Sequence, residues 1–314
     1  MIRALDLAAI VGSLVMSASA GVALAASDVT VDDTLAFPES ITATTDGLVI
    51  FGSMNKPIIY KADPGSTKAE PFIRLTGKGA VVTLGVLADR HTGTLWACQS
   101  ERDTSGPKPT NHTSLRAFDL KTGVDKGKYP LPGDSTLCND IALTHSNGVY
   151  LSDSPNGRIF RLKPGASALE LVVQHADLMG IDGLTFVKGV LYANSVSANT
   201  IMRVPLNADG SSAGAPVQIA LSRPISRPDG MRAAGKRLFL AENGAGRVSE
   251  LVLDGDKATV VTIKEGFDTP TAVQPRGNVL WVGEAKLEYL HDPKLKDKDP
   301  GVFKAYALPM PPAR

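Results

Sequence analysis

Four oxygen-bearing side chains, Glu39, Asn139, Asp182 and Asp229, recur at one phase of a repeating pattern. Three are carboxylates and one is an amide, and no His or Cys shares the phase. Brought to one point, three carboxylates repel one another strongly unless a cation sits among them. An all-oxygen donor set selects a hard ion, Ca²⁺ first, with Mg²⁺ or Mn²⁺ behind it and Zn²⁺ last. Taken singly, each residue is equally an Asp, Asn or Glu that caps a strand start or a turn. The shared phase is what argues for a site.

The elements that must position these residues follow from the repeat itself. A polar residue precedes a short apolar strand, then a Gly-containing turn, a second strand rich in Val, Leu and aromatics, and a third strand. Pro38-Glu39-Ser40-Ile41 leads to Asp46-Gly47-Leu48-Val49-Ile50-Phe51, and Asn139-Asp140-Ile141 leads to Asn147-Gly148-Val149-Tyr150-Leu151. Further copies begin at Asp182-Gly183-Leu184 and Pro228-Asp229-Gly230, and weaker ones near Thr83-Leu84-Gly85 and Thr269-Pro270-Thr271. Six copies about 45 residues apart have the spacing of four-stranded propeller blades. A β-sandwich would not repeat an acidic or amide residue at the same phase of each unit. No stretch sustains a helical period of apolar residues, so the chain is all-β. The expected fold is a six-bladed β-propeller of four-stranded blades, one domain over residues 27–314.

In such a ring the innermost strands run along a central channel, so residues in phase on them converge at its mouth. The ends of the second strands return to the same face. They supply Ser53-Met54-Asn55, Gln99, Asp153, Asn194-Ser195, Glu242-Asn243 and Glu284. Such a rim suits a hydroxyl-rich ligand, or simply faces water. Arg227, beside Pro-Asp-Gly, is placed to meet a carboxylate or orient a carbonyl, or to be solvated. Glu101 to Asn111, with Gly106, Pro107 and Pro109, is expected to be a loop inserted on one face. The tail, Lys294 to Lys298 and then Pro309 to Pro312, is expected to wrap the outside or fray.

Composition excludes several classes. With 33 Lys+Arg against 32 Asp+Glu, there is no basic excess to displace counterions from nucleic acid. Aromatics at 5% make a stacking platform for single strands unexpected. The histidines His91, His112, His145, His175 and His291 are read as turn and loop residues, and none accompanies a Gly-x-Ser-x-Gly elbow. Serine-hydrolase chemistry and a His-dependent propeller lyase are therefore both disfavoured.

Residues 1–26 hold Arg3, an apolar run from Leu7 to Met16 and the small-x-small ending Ala23-Leu24-Ala25. This is the pattern of a cleaved secretory signal, so the mature chain is expected to be periplasmic or secreted, without a membrane span. Its only cysteines are Cys98 and Cys138. Cys98 ends the second strand of blade two and Cys138 precedes the first strand of blade three, on the same face. An oxidising compartment would let them bridge; the alternative is two small buried apolar residues.

The motifs Pro-Glu-Ser at Glu39, Asn139-Asp140 and Pro228-Asp229-Gly230 resemble those of the gluconolactonase/regucalcin (senescence marker protein) propellers. The resemblance extends over the whole mature chain. It implies that Glu39, Asp182 and Asp229 hold one divalent metal, with Asn139 ligating or lining the site. Together with the rim, these motifs make Asn139, Asp140, Arg227 and Glu242 the expected contacts of a small-molecule substrate. The implied reaction opens a sugar-derived or related lactone, with Asp229 or Asp182 helping to deprotonate water. Two departures matter: Asp182 stands where that family has Asn, and the first blade lacks its Gly-Pro and Trp. A non-catalytic propeller binding a sugar, metabolite or protein at the channel mouth is the alternative from another class.

Overall fold

Short runs of Val, Ile, Leu and aromatics become antiparallel strands because such side chains pack well on a pleated surface. They are separated by turns such as Asp46-Gly47, where glycine takes the left-handed conformation (φ 93°). The structure, a computed structural model, describes residues 26–106, 108–144, 146 and 148–313. The expected leader, apart from Ala26, lies outside the described residues, as do Pro107, His145 and Asn147.

Six sheets form six blades of a propeller. Their innermost strands are Ile41–Ala43, Ala80–Asp89, Cys138–Leu143, Ile181–Val187, Pro228–Ala234 and Pro270–Arg276. Blade five carries a fifth, outer strand, Ala220–Leu221, parallel to Lys257–Glu265. Every blade adds its next three strands outward in meander order, except the sixth, whose outermost strand is Val29–Val31 from the start of the chain. That strand pairs antiparallel with Phe303–Pro309, Val29 facing Ala305, and so ties the two chain ends into one sheet. Of the expected tail, 294–298 is turn and bend, and Pro309 ends the third strand of blade six, Phe303–Pro309. The proline-rich end beyond it is held by Arg237, whose Nη1 donates to the Pro311 carbonyl at 2.7 Å.

The apolar core is divided into six packets, one between each pair of neighbouring blades. Second strands show why their sequences read as continuous apolar runs rather than alternating ones. Leu238 and Leu240 face blade four, whereas Phe239 and Ala241, one residue out of step, face blade six. Both faces of a blade are buried, so both parities must be apolar.

Two expectations on local structure are corrected. Glu101–Asn111 is strand at both ends: Arg102 pairs with Asn111 and Asp103 with Thr110, so the ladder of blade two runs past the length of its neighbours. Its Thr-Asn-His-Thr run takes up the partners offered by Ser100 to Asp103, so the expected insertion is shortened at both ends. His112 accordingly lies in a strand, and His291 ends a short helix, Glu288–His291.

Cys98 and Cys138 form a disulfide between blades two and three, with Cα atoms 5.2 Å apart and 40 residues between them. Both are fully buried among Leu84, Leu115 and Ile141. Closing that loop removes chain entropy from the unfolded state worth about 3–4 kcal/mol. The paired Cys98→Ala/Cys138→Ala variant should lose about that much stability in urea unfolding; an unchanged midpoint would contradict it.

Candidate functional site

At the start of nearly every innermost strand the register against the second strand slips. The slips fall between Thr83 and Val86, Cys138 and Ile141, Ile181 and Leu184, Pro228 and Met231, and Pro270 and Ala272. Bulges of this kind re-aim side chains. They carry Leu84, Asn139, Asp182, Asp229 and Thr271, and Glu39 occupies the same place two residues before Ile41 in blade one.

The bulges free backbone groups that the second strands satisfy. Ser152 accepts from the Asp140 N–H at 2.9 Å and donates to the Asp182 carbonyl at 2.8 Å. Asn194 accepts from the Gly183 N–H at 3.0 Å and donates to the Asp229 carbonyl. The Asp182 and Asp229 segments are thus each hydrogen-bonded to the blade before them.

The converging carboxylates meet. Glu39, Asp182 and Asp229 each present an oxygen within 4.8 Å of the others. That spacing suits a shared cation with oxygen ligands at about 2.3–2.6 Å. All three are buried, at 7%, 7% and 6% exposure. The Glu39 Oε2 and Asn139 Oδ1 atoms are buried without a hydrogen-bond partner. Orphaned oxygens facing a carboxylate cluster are what a cation would satisfy, so the donors present fit a divalent ion. Asn139 is oriented by its Nδ2, which donates to Ser154 Oγ at 3.0 Å. Asp229 accepts from the Gly230 N–H at 3.0 Å and from Asn243 Nδ2 at 3.2 Å.

Burial pushes all three acids up. Asp182 rises to about 7, through burial and the charge of Asp140, opposed by an Asn139 hydrogen bond and by Arg232. Glu39 and Asp229 rise well above the usual carboxylate range, through burial first and then their acidic neighbours.

Two of the other expected contacts, Asp140 and Glu242, are partnered within the chain. Asp140 is not open to a ligand: Arg232, deeper in the channel, grips it with Nη1 at 2.5 Å and Nη2 at 2.6 Å, and Leu184 N–H adds a third bond. Glu242 is fully buried, bonded to Arg223, Arg247 and Ser249, and held down to about 2. Arg227 is exposed, in a left-handed conformation (φ 45°) before Pro228, and its N–H donates to Asn199 Oδ1. The polar rim is a set of braces. Asp153, Glu242 and Glu284 accept from the N–H groups of Leu137, Ser226 and Asp268, and Gln99 and Ser195 donate to the carbonyls of Thr76 and Met179. Each fixes the segment leading into its own blade's innermost strand. Of that rim, Asn243 bonds the Asp229 carboxylate and Asn194 the Asp229 carbonyl.

Sequence reasoning missed Arg232, whose signal was a lone basic residue on a channel-lining strand. It also missed a cleft of about 950 Å³ beside the mouth, walled by the extended strands of blade two. Met54, Leu75, Val82, Leu84 and Leu137 line that cleft beside the polar Asn55, Ser100, Arg102 and Asn111. Leu84 is in phase with the acids, so cleft and mouth share a wall.

No protein-family model and no curated protein sequence matches the chain. Among solved structures it is similar to a provisionally named gluconolactonase (17% identity, TM-score 0.64, covering 93% of this chain and 95% of that one). It is also similar to the calcium-binding protein regucalcin from Agrobacterium tumefaciens (17%, 0.63, 92% and 98%). A third is virginiamycin B lyase from Staphylococcus aureus (15%, 0.57, 90% and 98%). The resemblance to gluconolactonase and regucalcin propellers is borne out as a shared fold. A lyase of the third kind has a His→Ala variant described as catalytically inactive; the acidic cluster here contains no histidine.

The raised acids make stability depend on pH with a definite sign. Unfolded, an Asp or Glu ionises near pH 4; folded and metal-free, Asp182 ionises only near 7. Between those values the folded state holds more protons, so stability falls as pH rises, and the loss is complete above the folded value. For Asp182 alone this is on the order of 4 kcal/mol. Urea midpoints in EDTA should therefore be lower at pH 8 than at pH 5, and added Ca²⁺ should restore the pH 8 value. A flat profile, or no response to any divalent ion, would exclude a cation-binding triad.

Proposed function

We propose that the chain is an exported, metal-dependent hydrolase that opens lactone rings at the triad mouth. The observation that carries this reading is the meeting of Glu39, Asp182 and Asp229, with unpartnered oxygens on Glu39 and Asn139. The likeness to gluconolactonase and regucalcin propellers supports it. Glu39, Asp182 and Asp229 would hold the ion, Ca²⁺ before Mg²⁺, Mn²⁺ or Zn²⁺, and Asn139 would complete the set. Bound there, such an ion supplies Lewis-acid polarisation of a carbonyl and stabilises the oxyanion that develops.

The chain's own residues do the remaining work. Asp229 or Asp182 takes a proton from the attacking water and returns it to the ring oxygen as the carbon–oxygen bond breaks. One water is consumed and a hydroxy acid is released. Asn243 steadies Asp229 in that role, through its 3.2 Å hydrogen bond. The secretory signal in residues 1–26 and the single domain of 27–314 complete the reading, and the disulfide accords with an oxidising compartment.

The cleft also bears on substrate choice. Its lining is mixed: Met54, Leu75, Val82, Leu84 and Leu137 offer apolar contacts, while Asn55, Thr76, Ser100, Arg102, Asn111 and Ser135 offer hydrogen-bonding groups. It favours a lactone that carries an aliphatic group together with a polar one.

A lactone panel assayed in EDTA and then with each metal tests the reading. Turnover should require metal, and lactones carrying both an alkyl and a polar substituent should outpace unsubstituted aliphatic lactones in kcat/KM. Metal-independent turnover, or none with any metal, would reject hydrolysis and leave a binding propeller. Asp229→Asn should lower turnover by about 100-fold or more. The same change should make the metal-free protein more stable at pH 8, because it removes one repelling charge; a destabilised variant would contradict this.

A further inference from the structure

We propose that the end of the channel opposite the acidic triad is a binding site for a small anion, built by Arg232 and Arg276. Strands rise about 3.3 Å per residue, so Arg232, three residues after Asp229, and Arg276, five after Thr271, lie well below the mouth. There the channel holds a cavity of about 170 Å³ lined by Ala88, Leu143, Thr185, Gln274 and both arginines. A water molecule occupies about 30 Å³, so a compact oxyanion or a halide fits with room to spare.

The charges around this cavity do not balance. Asp140 accepts from Arg232 Nη1 and Nη2 and from Leu184 N–H, which commits both its oxygens. Arg276 has no acid: its Nε donates to the Ala43 carbonyl and its Nη1 to the Pro275 carbonyl, each at 2.9 Å. No ion pair of Arg276 occurs among the described residues, and the charge acting on it is that of Arg232, of the same sign. Burial and that repulsion together push Arg276 down to about 10. Most telling, Arg232 Nε is buried, in a residue only 7% exposed, and has no partner. A buried guanidinium N–H left unpaired is costly, and an anion in the cavity removes that cost and the repulsion at once. The arrangement mirrors the other mouth, where like charges of opposite sign call for a cation.

Calorimetric titration of the mature chain with inorganic phosphate and with acetate, in anion-poor, metal-free buffer, tests this. Saturable binding of at least one is expected, weakened about tenfold or more in Arg276→Gln and unchanged in Asp229→Asn. Crystals soaked in bromide provide a reading independent of any variant, with an anomalous peak expected between Arg232 and Arg276. Absence of binding by both oxyanions, equal affinity in Arg276→Gln, or a channel without bromide overturns the proposal.

Discussion

Six innermost strands converge on one axis, and that convergence is the constraint on which the rest depends. Their backbones approach more closely than a side chain allows. A Cβ on Gly183 would lie 2.8 Å from the Asp229 carbonyl oxygen, and one on Gly230 would run into that of Thr271. Glycine at the bulge is therefore a matter of space rather than flexibility. The residue before it, Asp182 or Asp229, is turned toward the axis by the same bulge. Close approach and aimed carboxylate are two effects of one backbone device, which is why Asp-Gly recurs at this phase.

Convergence also concentrates charge. A channel enclosed by apolar blades has a low dielectric, so like charges within it interact strongly and water cannot screen them. The chain places three acids at one mouth and two arginines toward the other, with Asp140 bonded to Arg232 between them. Arg232 acts in both directions: its charge opposes the rise of Asp182 and Glu39, and depresses Arg276. Replacing it would disturb both ends at once, because removing one partner of a buried pair leaves the other uncompensated.

The repeat made the blades legible, since apolar runs bounded by Gly turns at regular spacing admit few other folds. The same phase argument picked out Glu39, Asp182 and Asp229, because residues equivalent in a ring must share a height on its axis. It failed for Glu242 and for most of the rim. Second-strand ends share a face with the mouth, yet their side chains turn inward to brace the segment before each innermost strand, an intrablade contact that phase alone does not reveal. Asp140, adjacent to Asn139, shows the same limit: neighbouring residues on a strand point to different places, and which one meets the site depends on the bulge. Closure by Val29–Val31 was illegible for another reason. Three residues carry little pattern, and their partner lies at the other end of the chain.

Blade two departs from the symmetry, and the departure is what turns a ring into a directed site. Where blades one, three, four and five place an acid or amide, blade two places Leu84, so no donor competes on that side of the mouth. Its three inner strands continue past those of its neighbours, Ala80–Asp89, Thr94–Asp103 and Thr110–Asp119, each ten residues long. The disulfide pins this blade to blade three at Cys138, one residue before Asn139. Extension, apolar ring position and covalent brace thus fall on one blade. A symmetric ring could hold a cation but would have no preferred direction from which to receive a second molecule. The tall side of blade two, with apolar and polar groups along its cleft, supplies that direction, and the bridge keeps it in register with the amide it stands beside.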